Sequence, residues 1–208
     1  MPSKHTLADN WESTRLITNK KLIQAFLDTP RELFVPDQYL NQAYGDYPLP
    51  IPGDQTISQP TTVMIMIQAL EPKPTDKVLE IGTGSGWNAA ILSKLVKEVY
   101  TTEIVEELIP FAKSNLKKAK VTNVKVLKTD GSLGYKKAAP YDKIIVTAAA
   151  PKIVEPWVNQ LKEGGIIVAP VGSPYSQRMV KARKINNKLE EEYLGDFVFV
   201  PLKGRLGF

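Results

Sequence analysis

Residues 78–87 read Val-Leu-Glu-Ile-Gly-Thr-Gly-Ser-Gly-Trp: an apolar run that ends in Glu80 and Ile81, then turns through Gly82, Gly84 and Gly86 into the apolar-spaced segment 88–95. That order describes a strand, a tight loop and a helix start. Glycine tolerates positive φ and has no Cβ to keep a ligand off the backbone. The N–H groups of such a loop, with the positive end of the helix behind it, favour a polar ligand. A plain strand-to-helix turn explains the same glycines without a ligand. The motif therefore fixes a βα unit first and a binding site only if other residues converge on it.

The spacing narrows the ligand. A dinucleotide fingerprint requires G-x-G-x-x-G, whereas Trp87 stands where its third glycine belongs and the glycines fall at 82, 84 and 86. A pyrophosphate cradle is disfavoured. The form Glu-x-Gly-x-Gly-x-Gly resembles the first motif of class I S-adenosylmethionine-dependent methyltransferases, whose acidic residue lies near the amino-acid end of the cofactor.

The remaining sequence restricts the chemistry. The chain has no cysteine, and His5 is its single histidine. Thiolate nucleophiles, cysteine-ligated zinc, histidine triads and histidine metal sites are excluded, and no metal is expected. The reaction must need little proton abstraction or use a substrate that is already nucleophilic. The formal charge of +5 favours anionic partners in general. The lysines are spread out, however, and lack the interleaved aromatics that would stack bases, so no nucleic acid is expected. No stretch approaches the roughly 20 apolar residues of a membrane span, and residues 1–6 lack a signal peptide's apolar segment. A cytoplasmic protein is expected, with its oligomeric state left open.

Along the chain, residues 10–28 carry two helical patterns, Trp11 with Leu16 and Ile17, then Leu22, Ile23, Phe26 and Leu27. Prolines at 30, 36, 48, 50, 52 and 60 mark an irregular segment over 29–60. Loops that long are uncommon unless functional, and its aromatics argue against a disordered linker, so it is expected to fold over the site as a lid or substrate wall. Ser58 before Pro60 suits a helix N-cap and equally a site residue. Alternating strands and helices follow, with strands expected at 77–81, 99–103, 124–128, 141–147 and 166–170, Gly164-Gly165 ending the helix before the last of these. Closing strands are expected at 177–185 and 193–202.

This pattern predicts an α/β fold: a doubly wound, mostly parallel Rossmann-like sheet with an N-terminal helical cap and one or more antiparallel closing strands. A single domain is expected over 1–208, with 1–70 as cap and active-site loop and 71–208 as cofactor-binding core. Glu80, Glu103, Asp130 and Thr147 all fall at the carboxyl ends of strands, where such sheets bind ligands. Glu103, 17 residues beyond Gly86, is placed to accept ribose hydroxyls, the alternative being a surface residue. Asp130 and Gly131 could face an exocyclic amine and a flat ring, although their spacing alone reads as a turn.

From about Asp28 onward the chain resembles the protein-L-isoaspartate O-methyltransferase family. The resemblance rests on residues 30–36 (Pro-Arg-Glu-Leu-Phe-Val-Pro), 47–51, the block Gln55-Thr56-Ile57-Ser58-Gln59-Pro60, the glycine motif, Thr147-Ala148-Ala149, Gly164-Gly165, Pro170-Val171-Gly172 and Val200-Pro201-Leu202. It implies methyl transfer from S-adenosyl-L-methionine to the free α-carboxylate of L-isoaspartyl residues in damaged proteins and peptides. It further implies that Glu80, Gly82, Thr83, Gly84, Gly86, Glu103, Asp130, Gly131 and Thr147 hold the cofactor. Gln55, Thr56, Ile57, Ser58 and Gln177 would contact substrate, with Ser58 as the active-site residue. One departure stands out: Pro52-Gly53-Asp54 replaces the family's usual Gly-x-Gly before Gln55. The alternatives are an RNA or other S-adenosylmethionine-dependent O-methyltransferase and a binding module that has lost catalysis.

Overall fold

The computed structural model describes residues 3–208; the expected domain start at residue 1 lies outside them. Seven strands form one sheet in the order β5-β4-β3-β6-β7-β8-β9. Strands β3 (Lys77–Ile81), β4 (Glu98–Glu103), β5 (Val124–Lys128), β6 (Tyr141–Val146) and β7 (Leu161–Gly172) run parallel. Strands β8 (Gln177–Ile185) and β9 (Lys188–Phe197) close the sheet antiparallel. The chain runs outward from β3 to β5, then returns to place β6 on the other side of β3. That reversal opens a crevice at the carboxyl ends of β3 and β6.

Alternation along the central strands builds two cores. Val78, Ile145, Ile166 and Val168 face one core. Leu79, Ile81, Ile144, Val146, Ile167 and Ala169 face the other. The first core also takes in the N-terminal helices α1 (Lys4–Ser13) and α2 (Lys20–Leu27) and helices α3 (Pro60–Leu70) and α4 (Trp87–Ser93). Helix α5 (Leu108–Lys118) packs there through Leu108 and Leu116, while α6 (Glu155–Gln160) brings Trp157 to the second core. Both faces are thus covered, as a parallel sheet requires. Among the described residues no helix is long and apolar enough to cross a membrane.

Several elements differ from the sequence expectation. Helix α1 begins at a capping box formed by Ser3 and Thr6 and ends before Arg15, whose φ is 57°. Leu16 and Ile17 therefore lie beyond the helix, not in it. The 29–60 segment is built from two 3-10 turns (Arg31–Phe34, Asp37–Gln42) and an antiparallel hairpin, β1 (Leu49–Ile51) with β2 (Gln55–Ile57). Strand β7 starts at Leu161, so Gly164-Gly165 lies inside it, where the register against β6 shifts. The pair marks a bulge and not a helix stop. Strand β9 begins right after Asn186-Asn187, both at positive φ, and residues 198–202 lie beyond its end.

Candidate active site

The glycine loop is fastened from both neighbouring strands. Gly82 N and Thr83 N both donate to Thr102 O at 3.0 Å, and Thr147 N donates to Ile81 O at 2.9 Å. The Thr147 hydroxyl donates to Gly82 O at 2.6 Å, and the Thr83 and Thr101 hydroxyls share a hydrogen bond of 2.8 Å. Gly82 has φ of +97°, and a Cβ there would lie 2.6 Å from Thr147 Oγ1. Close approach of Thr147 and positive φ together make glycine the residue this position accepts.

Glu103 closes the loop from β4. Its Oε2 accepts from Gly84 N, and its Oε1 accepts from Ile104 N and Val105 N, each at 2.9 Å. The carboxylate is nearly buried yet lines a cavity walled by Ile81, Ile104, Val105, Leu108 and Leu202. Oε1 is filled by its two donors, whereas Oε2 keeps a free acceptor site, so Glu103 is held rigid and still able to receive a hydroxyl donor. Gly131 also lines the cavity; a Cβ there would sit 2.5 Å from Thr102 Oγ1 and 2.8 Å from Ile81 Cγ2. Glu103 and Lys203 are the charged residues of this lining. Without a cluster of cations, the cavity is poorly suited to phosphates and well suited to a nucleoside cofactor that carries none.

The β1–β2 hairpin covers this cavity. Its turn is Pro52-Gly53-Asp54, with φ of 70° at Gly53 and 56° at Asp54. A Cβ on Gly53 would come within 2.6 Å of Val105 Cγ1, and one on Gly84 within 3.7 Å of Ile51 Cδ1. The departure at 52–54 is therefore the tip of a hairpin seated over the Glu103–Val105 corner, with Asp54 exposed. Beyond the hairpin lies a second cavity, lined by Pro48, Gln59, Thr62, Ser176, Asp196 and Phe199 among others. The two cavities share Thr56, Ser58, Thr147 and Val200.

The family model for protein-L-isoaspartate(D-aspartate) O-methyltransferase (PCMT) matches residues 2–207. The chain belongs to this family. It is 44% identical to the protein-L-isoaspartate O-methyltransferase of Pyrococcus horikoshii, covering 100% of this chain and 99% of that protein. It is 49% identical to the Methanosarcina mazei protein of that name, over 92% of this chain and 80% of the relative. A solved protein-L-isoaspartate O-methyltransferase superposes with a TM-score of 0.89 at 29% identity, covering 99% of this chain and 67% of that one. A Plasmodium falciparum PCMT, crystallised with S-adenosyl-L-homocysteine, shares the fold with a TM-score of 0.85 at 24% identity, covering 98% of this chain and 99% of that one. The family uses S-adenosyl-L-methionine.

Gln55, Thr56, Ile57, Ser58, Gly82, Thr83, Gly84, Glu103, Gly131 and Thr147 come together around the first cavity. Gly86 stands behind it as the N-cap of α4, packed against Leu116. Ser58 is not a helix cap. Asp46 takes that task from a distance, accepting from Thr61 N at 2.9 Å and Thr61 Oγ1 at 2.7 Å. Gln177 lines neither cavity; its amide donates to Ser173 O at 2.6 Å and accepts from Phe199 N at 2.7 Å. It braces the wall that carries Phe199. Asp130 also stays outside both linings, accepting from Ser132 N at 2.9 Å and Arg205 N at 2.8 Å. The turn reading of Asp130 holds, and its carboxylate anchors the C-terminal segment. That segment, residues 200–203, lines the first cavity, as do Val63, Met66 and Asn88. Val200-Pro201-Leu202 carried part of the family resemblance but no expected site role, and Val63, Met66 and Asn88 are ordinary apolar or amide residues with no motif of their own.

Glu80 is fully buried and lies behind the lining, with Oε1 accepting from Asn88 Nδ2 at 2.6 Å and Oε2 lacking any partner. Burial pushes its carboxyl up to about 7, opposed by the neighbouring Thr101 hydroxyl and the Asn88 amide, and the charge of Glu103 adds to the rise. The folded value lies above the ordinary 4.5, so the native state holds this proton more tightly than the unfolded chain. The resulting stability is full below about pH 4.5 and is lost as pH rises through about 7. Thermal melts of the ligand-free protein should therefore show its Tm falling relative to that of Glu80→Gln between about pH 5 and pH 8. Parallel pH dependence in the two proteins would contradict this account.

Proposed function

We propose that this chain transfers the methyl group of S-adenosyl-L-methionine to the free α-carboxylate of L-isoaspartyl residues in proteins and peptides, the ester then opening the way to repair through a succinimide. The observation that carries this reading is the meeting of two cavities at Thr56, Ser58, Thr147 and Val200. One cavity suits a phosphate-free nucleoside; the other opens beside it to receive the acceptor.

The residues fit the cofactor. Glu103 would hold the ribose hydroxyls, the Gly82–Gly86 loop would take the amino-acid end with Asn88 oriented by Glu80, and Gly131 would leave room for the flat base. The bound cofactor supplies an electrophilic methyl on a sulfonium. A carboxylate with an ordinary pKa near 4 is already ionised at neutral pH, so in-line attack needs no general base. That agrees with a chain lacking cysteine and carrying only His5 as histidine. The protein contributes alignment and exclusion of water, for which proximity effects supply about 7–11 kcal/mol. Ser58 would donate a hydrogen bond that orients the attacking carboxylate. Asp196 is the single charged residue of the second lining, a poor match to the cationic surface that nucleic acid requires.

In this reading residues 1–70 act as cap and lid on the 71–208 cofactor core, within one methyltransferase unit of the cytoplasm. For Ser58→Ala the expected result is a drop in kcat of about 10- to 100-fold, the value of one hydrogen bond to a charged group. Unchanged kcat and KM on an isoaspartyl peptide would remove Ser58 from the mechanism.

A further inference from the structure

Arg31 is fully buried, yet no carboxylate forms an ion pair with it among the described residues. Its guanidinium instead gathers backbone carbonyls. Nη1 donates to Ala43 O at 2.6 Å, and Nη2 donates to Ser58 O at 2.9 Å and Tyr47 O at 3.3 Å. Gly45 O and Ile57 O lie at 3.5 Å. The same guanidinium sits 5.1 Å from the ring centroid of Trp87, whose indole N–H donates to Thr29 O at 3.3 Å. Trp87 is the first residue of α4 after the glycine loop and lines the first cavity.

A buried cation with no carboxylate in contact, Asp46 acting on it only from a distance, is a poor device for stability alone, since apolar packing of similar volume serves as well or better. Arginine offers something an apolar residue lacks: a planar fork of five donors that fixes several acceptors relative to one another. Here the fork joins carbonyls from the 43–58 segment and stacks against the residue that follows the glycine loop.

We propose that Arg31 is a positioning residue for the methyl transfer, setting the place of Ser58 relative to the cofactor cavity by holding the Ser58 carbonyl on one side and Trp87 on the other. This rests on the role of Ser58 given above. Arg31 is itself part of neither lining, so it acts through Ser58 and not on the substrate.

The test is a double-mutant cycle on an isoaspartyl peptide with Arg31→Lys and Ser58→Ala, alongside calorimetric S-adenosyl-L-homocysteine binding. Lysine keeps the charge but not the fork. Arg31→Lys should lower kcat about tenfold or more, because small misplacements of reacting groups are costly, and should leave S-adenosyl-L-homocysteine affinity within threefold of wild type. In the Ser58→Ala background its effect should disappear, as expected for groups that act as a unit. Multiplicative losses, or ligand binding that weakens in step with kcat, would overturn the proposal in favour of a purely structural role. A silent Ser58→Ala alone would instead show that the reading of Ser58 fails. If Arg31→Lys gives no cooperative melt, Tyr44→Phe replaces it. The Tyr44 hydroxyl accepts from Arg31 N at 3.2 Å and lines neither cavity. That variant removes the hydrogen bond from Arg31 N and the one the hydroxyl donates to Glu32; it should lower kcat about two- to fivefold, and the loss should again vanish beside Ser58→Ala. Persistence of its effect there would overturn the proposal equally.

Discussion

Glu103→Ala should weaken S-adenosyl-L-homocysteine binding about 100-fold in a calorimetric titration, since hydrogen bonds to a charged acceptor contribute roughly 1.5–3 kcal/mol each. Two losses combine. The ribose hydroxyls would lose the acceptor proposed for them, and Gly84 N, Ile104 N and Val105 N lose the carboxylate that fixes the loop. Glu103→Gln retains one side-chain oxygen, so it should fall between wild type and alanine. Binding by Glu103→Ala within threefold of wild type would show that the cofactor does not use this carboxylate.

The second large effect belongs to Gly82. At φ of +97° an L side chain is strained, and the new Cβ would meet Thr147 Oγ1 at 2.6 Å. Gly82→Ala is therefore expected to destabilise the protein by about 2–4 kcal/mol. For a chain of this size that lowers Tm by roughly 4–16 °C, and ligand binding should fall below detection as the loop shifts. Adding Thr147→Ala removes the clashing oxygen but not the backbone strain, so it should restore part of the Tm and no more. Thermal melts showing Gly82→Ala at wild-type Tm would refute the close-approach argument.

Strand positions were legible where burial patterning is strong. Strands β3, β5 and β8 begin and end at the residues that their apolar and β-branched runs predict. Patterning failed where a polar residue carries structure. Glu190, Glu191 and Glu192 hid the start of β9, because an edge strand tolerates charge on its open side. The β1–β2 hairpin was hidden by its brevity and by prolines at 48, 50 and 52, which read locally as loop. The chemistry of the site followed the same division. The places of Glu103, Gly82 and Gly84 beside the cavity were legible because they follow from the end of a strand. The surroundings of Gln177 and Asp130 were not, because only the folded chain brings Ser173, Phe199, Ser132 and Arg205 to their polar atoms. Arg31 was visible within its Pro-Arg-Glu-Leu-Phe block, but nothing local reveals that it gathers carbonyls from Ala43 to Ser58.

Central to this account is a site that recognises a misplaced, already ionised carboxylate and methylates it without a base. The most direct measurement is methyl transfer from labelled S-adenosyl-L-methionine to two versions of one peptide, differing only in whether a single residue is L-isoaspartyl or L-aspartyl. The account predicts ester formation on the isoaspartyl peptide and none above background on its aspartyl twin. Methylation of the aspartyl peptide alone, or of neither while the protein binds cofactor, would contradict it.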